Sequence, residues 1–169
     1  MKKHDGFTIK EEAFSVTTGA VGNTKFLTEL LNGVIASLKM IVPSHPKVKK
    51  PTLLNEDLSL QYGVLIGYAG DVKGNLIVRG IPEVFAKIGE KMFGMPVEGD
   101  MLRSFTGEFG NMLGGSLATM MSHQGIESDI TAPTILQGES TLSGFDQSIL
   151  LSVSYEELGE IDIVVMIKQ

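Results

Sequence analysis

Cysteine is absent from this chain of 169 residues, which excludes disulfide bonds and thiolate metal sites. No apolar run approaches the roughly 18 residues that a membrane-spanning helix needs, and no apolar signal core follows the charged N-terminus. Basic residues are outnumbered, with 14 Lys and Arg against 20 Asp and Glu, which is unusual for a nucleic-acid-binding protein. These absences predict a cytoplasmic protein with no nucleic-acid partner and no membrane insertion.

Histidine is scarce as well. His4, His45 and His123 lie far apart in the sequence and have no set of carboxylates beside them. A metal site needs several such ligands close together. We therefore expect no metal bound by this chain.

The residues that are present suffice for one hydrophobic core, since 43% of them are hydrophobic. Segment 1–23 is polar and has no sustained period, which predicts an irregular N-terminal arm, and residues 24–169 are predicted to form a single domain. A hairpin with its turn near Gly70-Asp71 is predicted from two β-type runs. Apolar spacing predicts helices at 25–41, 83–93 and 100–123 and strands at 59–68, 75–80, 129–137, 148–155 and 160–168.

The chain repeats itself. Segment 25–41 aligns with 104–120 at an offset of 79 residues and shares five identical positions. A Pro-Thr phrase follows each segment, at 51–54 and 133–136, and a hairpin follows each phrase. The repeat predicts an α+β, two-layer fold in which pseudo-twofold halves, about 24–80 and 100–168, each contribute a helix–strand–hairpin unit. Their strands would form one mixed β-sheet, with the two long helices packed on one face.

The long helix at 100–123 presents three arcs at about 100° per residue. The first is apolar and predicts the core face, with Phe105, Phe109, Met112, Leu113, Leu117 and Met120. The second carries Gly107, Gly110 and Gly114, which we expect to admit the first helix, because helix-interior glycines need a packing reason. The third is small and polar, with Ser104, Glu108, Asn111, Gly115 and Ser122. Glutamate and asparagine are common on solvated helix faces, so this spacing alone assigns no function.

A longer pattern is more specific. Ser104-Phe-Thr-Gly-Glu108-Phe-Gly-Asn111, followed by Asp129-Ile-Thr-Ala-Pro133-Thr, resembles the signature of the CheX/CheC/FliY family. Members of that family are phosphatases that act on the phosphorylated response regulator CheY. The resemblance extends over about 25–168, and the helix before the motif makes the order of elements most similar to CheX.

The resemblance implies a role for each motif residue. Asn111 would orient the water that attacks the aspartyl phosphate of a CheY-like response regulator. Glu108 would dock the regulator by pairing with a lysine of its active site, and Ser104 and Gly115 would lie at the edge of the contact. The chain would need no cofactor of its own, because the regulator holds the magnesium ion. CheX-like proteins pair through strands, which implies a homodimer.

The first helix repeats part of the motif as Glu29 and Asn32. CheC-like members have two such sites, whereas CheX-like members use one. Lys25 replaces the Ser or Asp of the motif, and Leu27 and Leu31 replace small residues. Glu29 and Asn32 are therefore either a second working site or a remnant of the duplication, and these replacements argue against a working site.

Two other functions remain open. The chain could be a non-catalytic adaptor of the same fold that binds a receiver domain or a flagellar-switch protein. It could also be a small-ligand-binding domain, for which a closed pocket between the two motif helices would be evidence. The last strand, at 160–168, would offer unpaired backbone to a second copy if it lay at a sheet edge.

Overall fold

The computed structural model describes residues 24–144 and 147–168, so the arm predicted at 1–23 lies outside the described residues. Along the chain the elements are α1 (Thr24–Ile41), β1 (Lys47–Val48), β2 (Thr52–Leu54), β3 (Leu58–Gly70), β4 (Lys73–Gly80), α2 (Pro82–Phe93), α3 (Gly99–His123), β5 (Ser128–Ile130), β6 (Thr134–Leu142), β7 (Gln147–Tyr155) and β8 (Gly159–Lys168).

The helices begin and end within one residue of their predicted positions, because local signals determine both ends. Pro82 is the first residue of α2, where the missing N–H is no loss and the fixed φ suits the helix. Gly94 ends α2 with a φ of 71°, a left-handed conformation that glycine adopts without strain. None of the helices in the described ranges is long and apolar enough to cross a membrane.

The sheet confirms the predicted duplication. Its strand order is β1-β7-β8-β4-β3-β5, with β2 also paired to β7 and β6 also paired to β3. If the equivalent strands of the two halves are exchanged (β1 with β5, β2 with β6, β3 with β7 and β4 with β8), the same order is obtained in reverse. Each half contributes a hairpin, β3–β4 or β7–β8, and the hairpins join at the centre through β4 and β8, where Leu76 is opposite Val165. The strand before each hairpin, β2 or β6, pairs with the hairpin of the other half.

The α+β fold class is thus confirmed, with two corrections to the sheet. Every strand pair in the described residues is antiparallel, where we expected a mixed sheet. Two hairpins related by a twofold axis normal to the sheet must meet antiparallel. The last strand, β8, lies between β7 and β4, so its backbone is already paired and cannot recruit a second copy.

The predicted strand at 129–137 is two strands. Pro133 has no N–H to give to a ladder, and the segment Thr131–Pro133 separates β5 from β6. Thr131 remains attached to the sheet, because its backbone N–H donates to Gly67 O over 2.9 Å and its Oγ1 accepts from Gly67 N over 2.9 Å.

The main core lies between the helices and one face of the sheet. All three helices described here contribute to it, together with alternate residues of β3, β4, β7 and β8, such as Val64, Leu76, Leu151 and Ile163. The opposite face carries a smaller buried apolar cluster of Leu58, Ile77, Val164 and Met166. The central strands are thus covered by apolar residues on both faces, and the main core packs α3 onto the sheet.

Candidate functional site

The third arc of α3 faces outward as predicted. Ser104 and Glu108 are exposed, and Asn111 and Gly115 are half-buried. Residues three and four apart on a helix are neighbours, with about 5–6 Å between their Cβ atoms. The Glu108 carboxylate and the Asn111 carboxamide therefore stand side by side on one rigid element.

Within the part of the chain that the structure describes, both functional groups lack a polar partner. Among the described residues, neither the Glu108 carboxylate nor the Asn111 carboxamide makes a hydrogen bond or an ion pair. A carboxylate accepts hydrogen bonds, and a carboxamide both donates and accepts them. Both groups are therefore available to a partner molecule and to a water at its surface.

One side of Asn111 is bordered by the segment that leaves the sheet. Asn111 lies one helical turn from Gly107 and one from Gly115. A methyl carbon at Gly107 would lie 3.6 Å from Pro133 Cγ, and one at Gly115 would lie 3.9 Å from Ile130 Cδ1. The exposed segment Thr131–Pro133 therefore runs beside Asn111 and forms a wall of the site. The packing of this segment on α3 gives a physical reason why the helix motif and the sequence Asp-Ile-x-x-Pro occur together in one signature.

The other side of Glu108 is apolar. Met101 lies two turns before Glu108, with 49% of its surface exposed. Met112 lies one turn after Glu108, with 36% of its surface exposed. The assignment of Met112 to the core was therefore wrong, whereas Met120 is half-buried and packs against the main core as expected. Met112 lies at the margin of the apolar arc, next to the small polar arc that carries Glu108.

The prediction that the glycine arc admits the first helix was also wrong. A methyl carbon at Gly110 would lie 2.7 Å from Val64 Cγ1, and one at Gly114 would lie 2.9 Å from Ile66 Cγ2. Both glycines thus face the sheet at β3. The helix α1 contacts α3 elsewhere, through a 2.6 Å hydrogen bond between Ser37 and Ser116. Helical periodicity gives the relative positions of arcs but not the neighbour that each arc meets.

Two tyrosine hydroxyls attach α3 to β3, and sequence reasoning gave no role to either. Tyr62 Oη lies 2.7 Å from Thr106 Oγ1. Because the Thr106 hydroxyl donates to Leu102 O, Tyr62 is the donor. Tyr68 Oη donates to Gly114 O over 2.9 Å, and burial raises the pKa of its phenol well above 10.0. The two attachment points bracket Glu108 and Asn111.

Comparison with known proteins identifies the family. The family model "Chemotaxis phosphatase CheX" matches residues 62–150, more than half of the chain. This chain belongs to the CheX family. A relative from Thermotoga maritima, the CheY-P phosphatase CheX, is 25% identical over 151 residues, which are 86% of this chain and 97% of that protein. The match to CheX includes both α3 and the segment that borders Asn111.

Solved structures show the same fold. A CheC-like superfamily protein from Shewanella sp. PV-4 is 24% identical, with a TM-score of 0.71 over 85% of this chain and 97% of that one. The CheX in a CheX-CheY-BeF3-Mg2+ complex from Borrelia burgdorferi is 19% identical, with a TM-score of 0.72 over 86% and 99%. The fold of this chain is therefore that of CheX and CheC-like proteins.

The two copies of the motif lie on different helices of the CheX fold and differ in exposure. Glu29 and Asn32 lie on α1 and are both half-buried, whereas Glu108 lies on α3 and is exposed. Met120 of α3 packs directly onto Gly33, the residue that follows Asn32. This contact and the Ser37–Ser116 hydrogen bond fill the space between the helices where a ligand pocket was the alternative expectation.

Other parts of this CheX-family chain offer weaker chemistry. A cleft of about 950 Å³ opens beside Arg79, but its guanidinium donates to Asp162 Oδ2 over 2.9 Å and to Ser59 O over 2.6 Å. Its charge is thus largely compensated. No three His, Asp or Glu residues in the described ranges are placed to hold a metal ion.

Proposed function

We propose that this chain hydrolyses the aspartyl phosphate of a CheY-like response regulator in the cytoplasm, and that Glu108 and Asn111 carry the activity. The observation that supports the proposal best is the pair itself, with an exposed Glu108 and a half-buried Asn111 side by side on one face of α3. Membership of a phosphatase family provides the reaction class.

The reaction needs little covalent chemistry from this chain. The oxygen of a water molecule forms a bond to phosphorus while the bond from phosphorus to the aspartyl oxygen breaks, which leaves the regulator's carboxylate and inorganic phosphate. The magnesium ion belongs to the regulator and neutralises charge on the phosphoryl oxygens. The catalyst must mainly hold the water in line, because correct orientation alone lowers the barrier substantially.

The two residues have different tasks in this proposal. The Asn111 carboxamide holds the attacking water, since it can donate and accept hydrogen bonds without changing charge at physiological pH. The Glu108 carboxylate binds a cation of the regulator's active site and so fixes the register of docking. Ser104 and Gly115 flank them, and their small size lets the regulator approach the helix.

The test follows the decay of a phosphorylated CheY-type receiver from the same organism, with saturating native protein or a variant. Asn111→Ala should lower the catalysed rate at least about 100-fold, because misplaced groups cost rates of this order, while binding stays nearly intact. Glu108→Ala should weaken both binding and hydrolysis. Glu90→Ala replaces another exposed helical glutamate, on α2, and should change neither.

Two outcomes would redirect the proposal. Binding without hydrolysis by the native protein would favour the adaptor function. A rate halved by Asn32→Ala would assign activity to α1 as well, whereas an unchanged rate would leave α3 as the single working copy. The expected homodimer stays a prediction, and because β8 is central it would have to use the outer strands of the sheet.

A further inference from the structure

The two glycines that face β3 let α3 lie close to the sheet. At Gly110 an added methyl carbon would lie 2.7 and 2.8 Å from the two γ-carbons of Val64. At Gly114 it would lie 2.9 Å from Ile66 Cγ2. Real contacts of a Cβ atom are longer than this, so a side chain at either position would move α3 away from β3.

The matched helix α1 lacks this arrangement. The duplication aligns Leu31 with Gly110 and Ile35 with Gly114, and both side chains are at most 2% exposed. Within the described ranges, the backbone of α3 comes close to β3, β5 and β6. The backbone of α1 comes comparably close to α3, but not to any of the described strands. The buried side chains of α1 therefore hold its backbone further from the sheet.

The tyrosine attachments show the same asymmetry. Val153 of β7 lies at the position of Tyr68 in the other half, because Thr52 is opposite Leu150 as the matching Thr134 is opposite Leu65. The Tyr68 hydroxyl reaches Gly114 O, whereas Val153 has no hydroxyl to offer, and the buried hydroxyl of Tyr155 at the end of β7 has no hydrogen-bond partner in the described part of the chain. The tyrosine attachment of α3 to β3 therefore has no equivalent at the matching position of β7.

The depth of α3 matters because two separate elements border the site. Glu108 and Asn111 move with α3, whereas the exposed segment Thr131–Pro133 is held to the sheet by the paired hydrogen bonds of Thr131 and Gly67. If a regulator rests on both elements, the distance from α3 to the sheet determines how far the Asn111 carboxamide lies from the regulator. An outward movement of α3 would displace Asn111 relative to Thr131–Pro133.

We propose that Gly110 and Gly114 are positioning residues for hydrolysis, and that the docked regulator contacts Thr131–Pro133 as well as α3. The glycine pair holds α3 at the depth where the Asn111 carboxamide reaches the attacking water. The pair is absent from α1, which confines activity to the α3 copy of the motif. This inference rests on the proposed phosphatase function and adds the surface that the regulator touches.

The decisive test is rescue by a compensating substitution. Gly110→Ala should lower the rate at saturating phosphorylated receiver at least tenfold and change KM less. Adding Val64→Ala removes both γ-carbons from the clash, and the nearest remaining Val64 atom, Cβ, would lie 3.3 Å away. The double variant should therefore recover to within about threefold of the native rate, although each single change alone only harms the protein.

The same substitution elsewhere on α3 serves as the control. A methyl carbon at Gly107 meets Ile135 Cδ1 at 3.5 Å and Pro133 at 3.6 Å, which are ordinary contacts. Gly107→Ala should keep the native rate. If Gly110→Ala alone does not fold, Gly114→Ala is a milder clash with a single close atom, and the Gly110→Ala/Val64→Ala double variant still tests recovery.

Each outcome has one meaning. A native rate in folded Gly110→Ala, or a folded double variant as slow as Gly110→Ala, would refute the positioning role. Native protein that hydrolyses no phosphorylated receiver would refute the proposed function and this inference together. To test the second contact, Ala132→Glu on the exposed segment should raise KM at least tenfold, and an unchanged KM would overturn that part.

Discussion

Tyr68 and Tyr155 provide a matched pair of substitutions that should have opposite effects on stability. Each lies near the end of the first hairpin strand of its half, and the same change, Tyr→Phe, removes one hydroxyl from each. Tyr68 Oη donates to Gly114 O over 2.9 Å, whereas Tyr155 Oη, in a residue that is 2% exposed, has no partner among the described residues. The hydroxyl stabilises the fold at the first position and destabilises it at the second.

The expected magnitudes follow from this difference. Loss of the Tyr68 hydrogen bond should lower the free energy of unfolding by about 1 kcal/mol, a typical net value for such a bond. Removal of the unpartnered Tyr155 hydroxyl relieves a desolvation penalty and should raise that free energy by about 1 kcal/mol or more. For a chain of this length, 1 kcal/mol corresponds to roughly 2–4 °C in Tm. The two variants should differ by about 4–8 °C.

Urea unfolding followed by circular dichroism measures both effects, provided that the slope with denaturant stays equal to that of the native protein. The two tyrosines lie on β3 and β7, which are separated by β8 and β4, so the double variant should show the sum of the single effects. A loss of stability in Tyr155→Phe would contradict the reasoning, because it would mean that the Tyr155 hydroxyl is satisfied in solution.

Two further outcomes are expected. Burial raises the pKa of both Tyr68 and Tyr155 above 10.0, so at high pH the folded protein keeps protons that the unfolded chain loses. The contribution of these two groups to stability should be constant below about pH 10 and fall above it. Urea midpoints from pH 8 to 11 should therefore fall less in the double Tyr→Phe variant. Met112→Ala removes an apolar contact beside Glu108 and should raise KM about threefold to tenfold with an unchanged kcat. Met40, 87% exposed on α1, gives the control Met40→Ala, and an effect on kcat alone would argue against an apolar docking surface at Met112.

The sequence predicted the local elements and the duplication well, because both depend on information that lies along the chain. Pro82, Gly94 and the apolar spacing determine the ends of α2 and α3. The placement of Glu108 and Asn111 together on the outward arc of α3 follows from helical periodicity alone. The repeat predicted the pseudo-twofold arrangement, since two similar halves that each lack a closed core bury most surface when they pack together.

Relations between distant elements were less predictable. Periodicity assigned Gly110 to a packing arc but could not choose between a helix and the sheet as its neighbour. The position of β8 at the centre of the sheet depends on strand order, which no local pattern encodes. The wall at Thr131–Pro133 is formed by a loop that tertiary contacts with α3 hold in place, so its proximity to Asn111 became visible only in the folded chain.

The contact between the two halves has the form of an interface between identical subunits. Ser37 and Ser116 are equivalent residues and meet each other, as the central strands β4 and β8 do; this is the self-complementary geometry of an isologous dimer. In a true dimer, one sequence would have to serve both subunits. Here a single polypeptide makes the contact at any concentration, and each half is free to differ. Gly110 and Leu31 occupy the same place in the two halves, a divergence that a symmetric dimer could not hold.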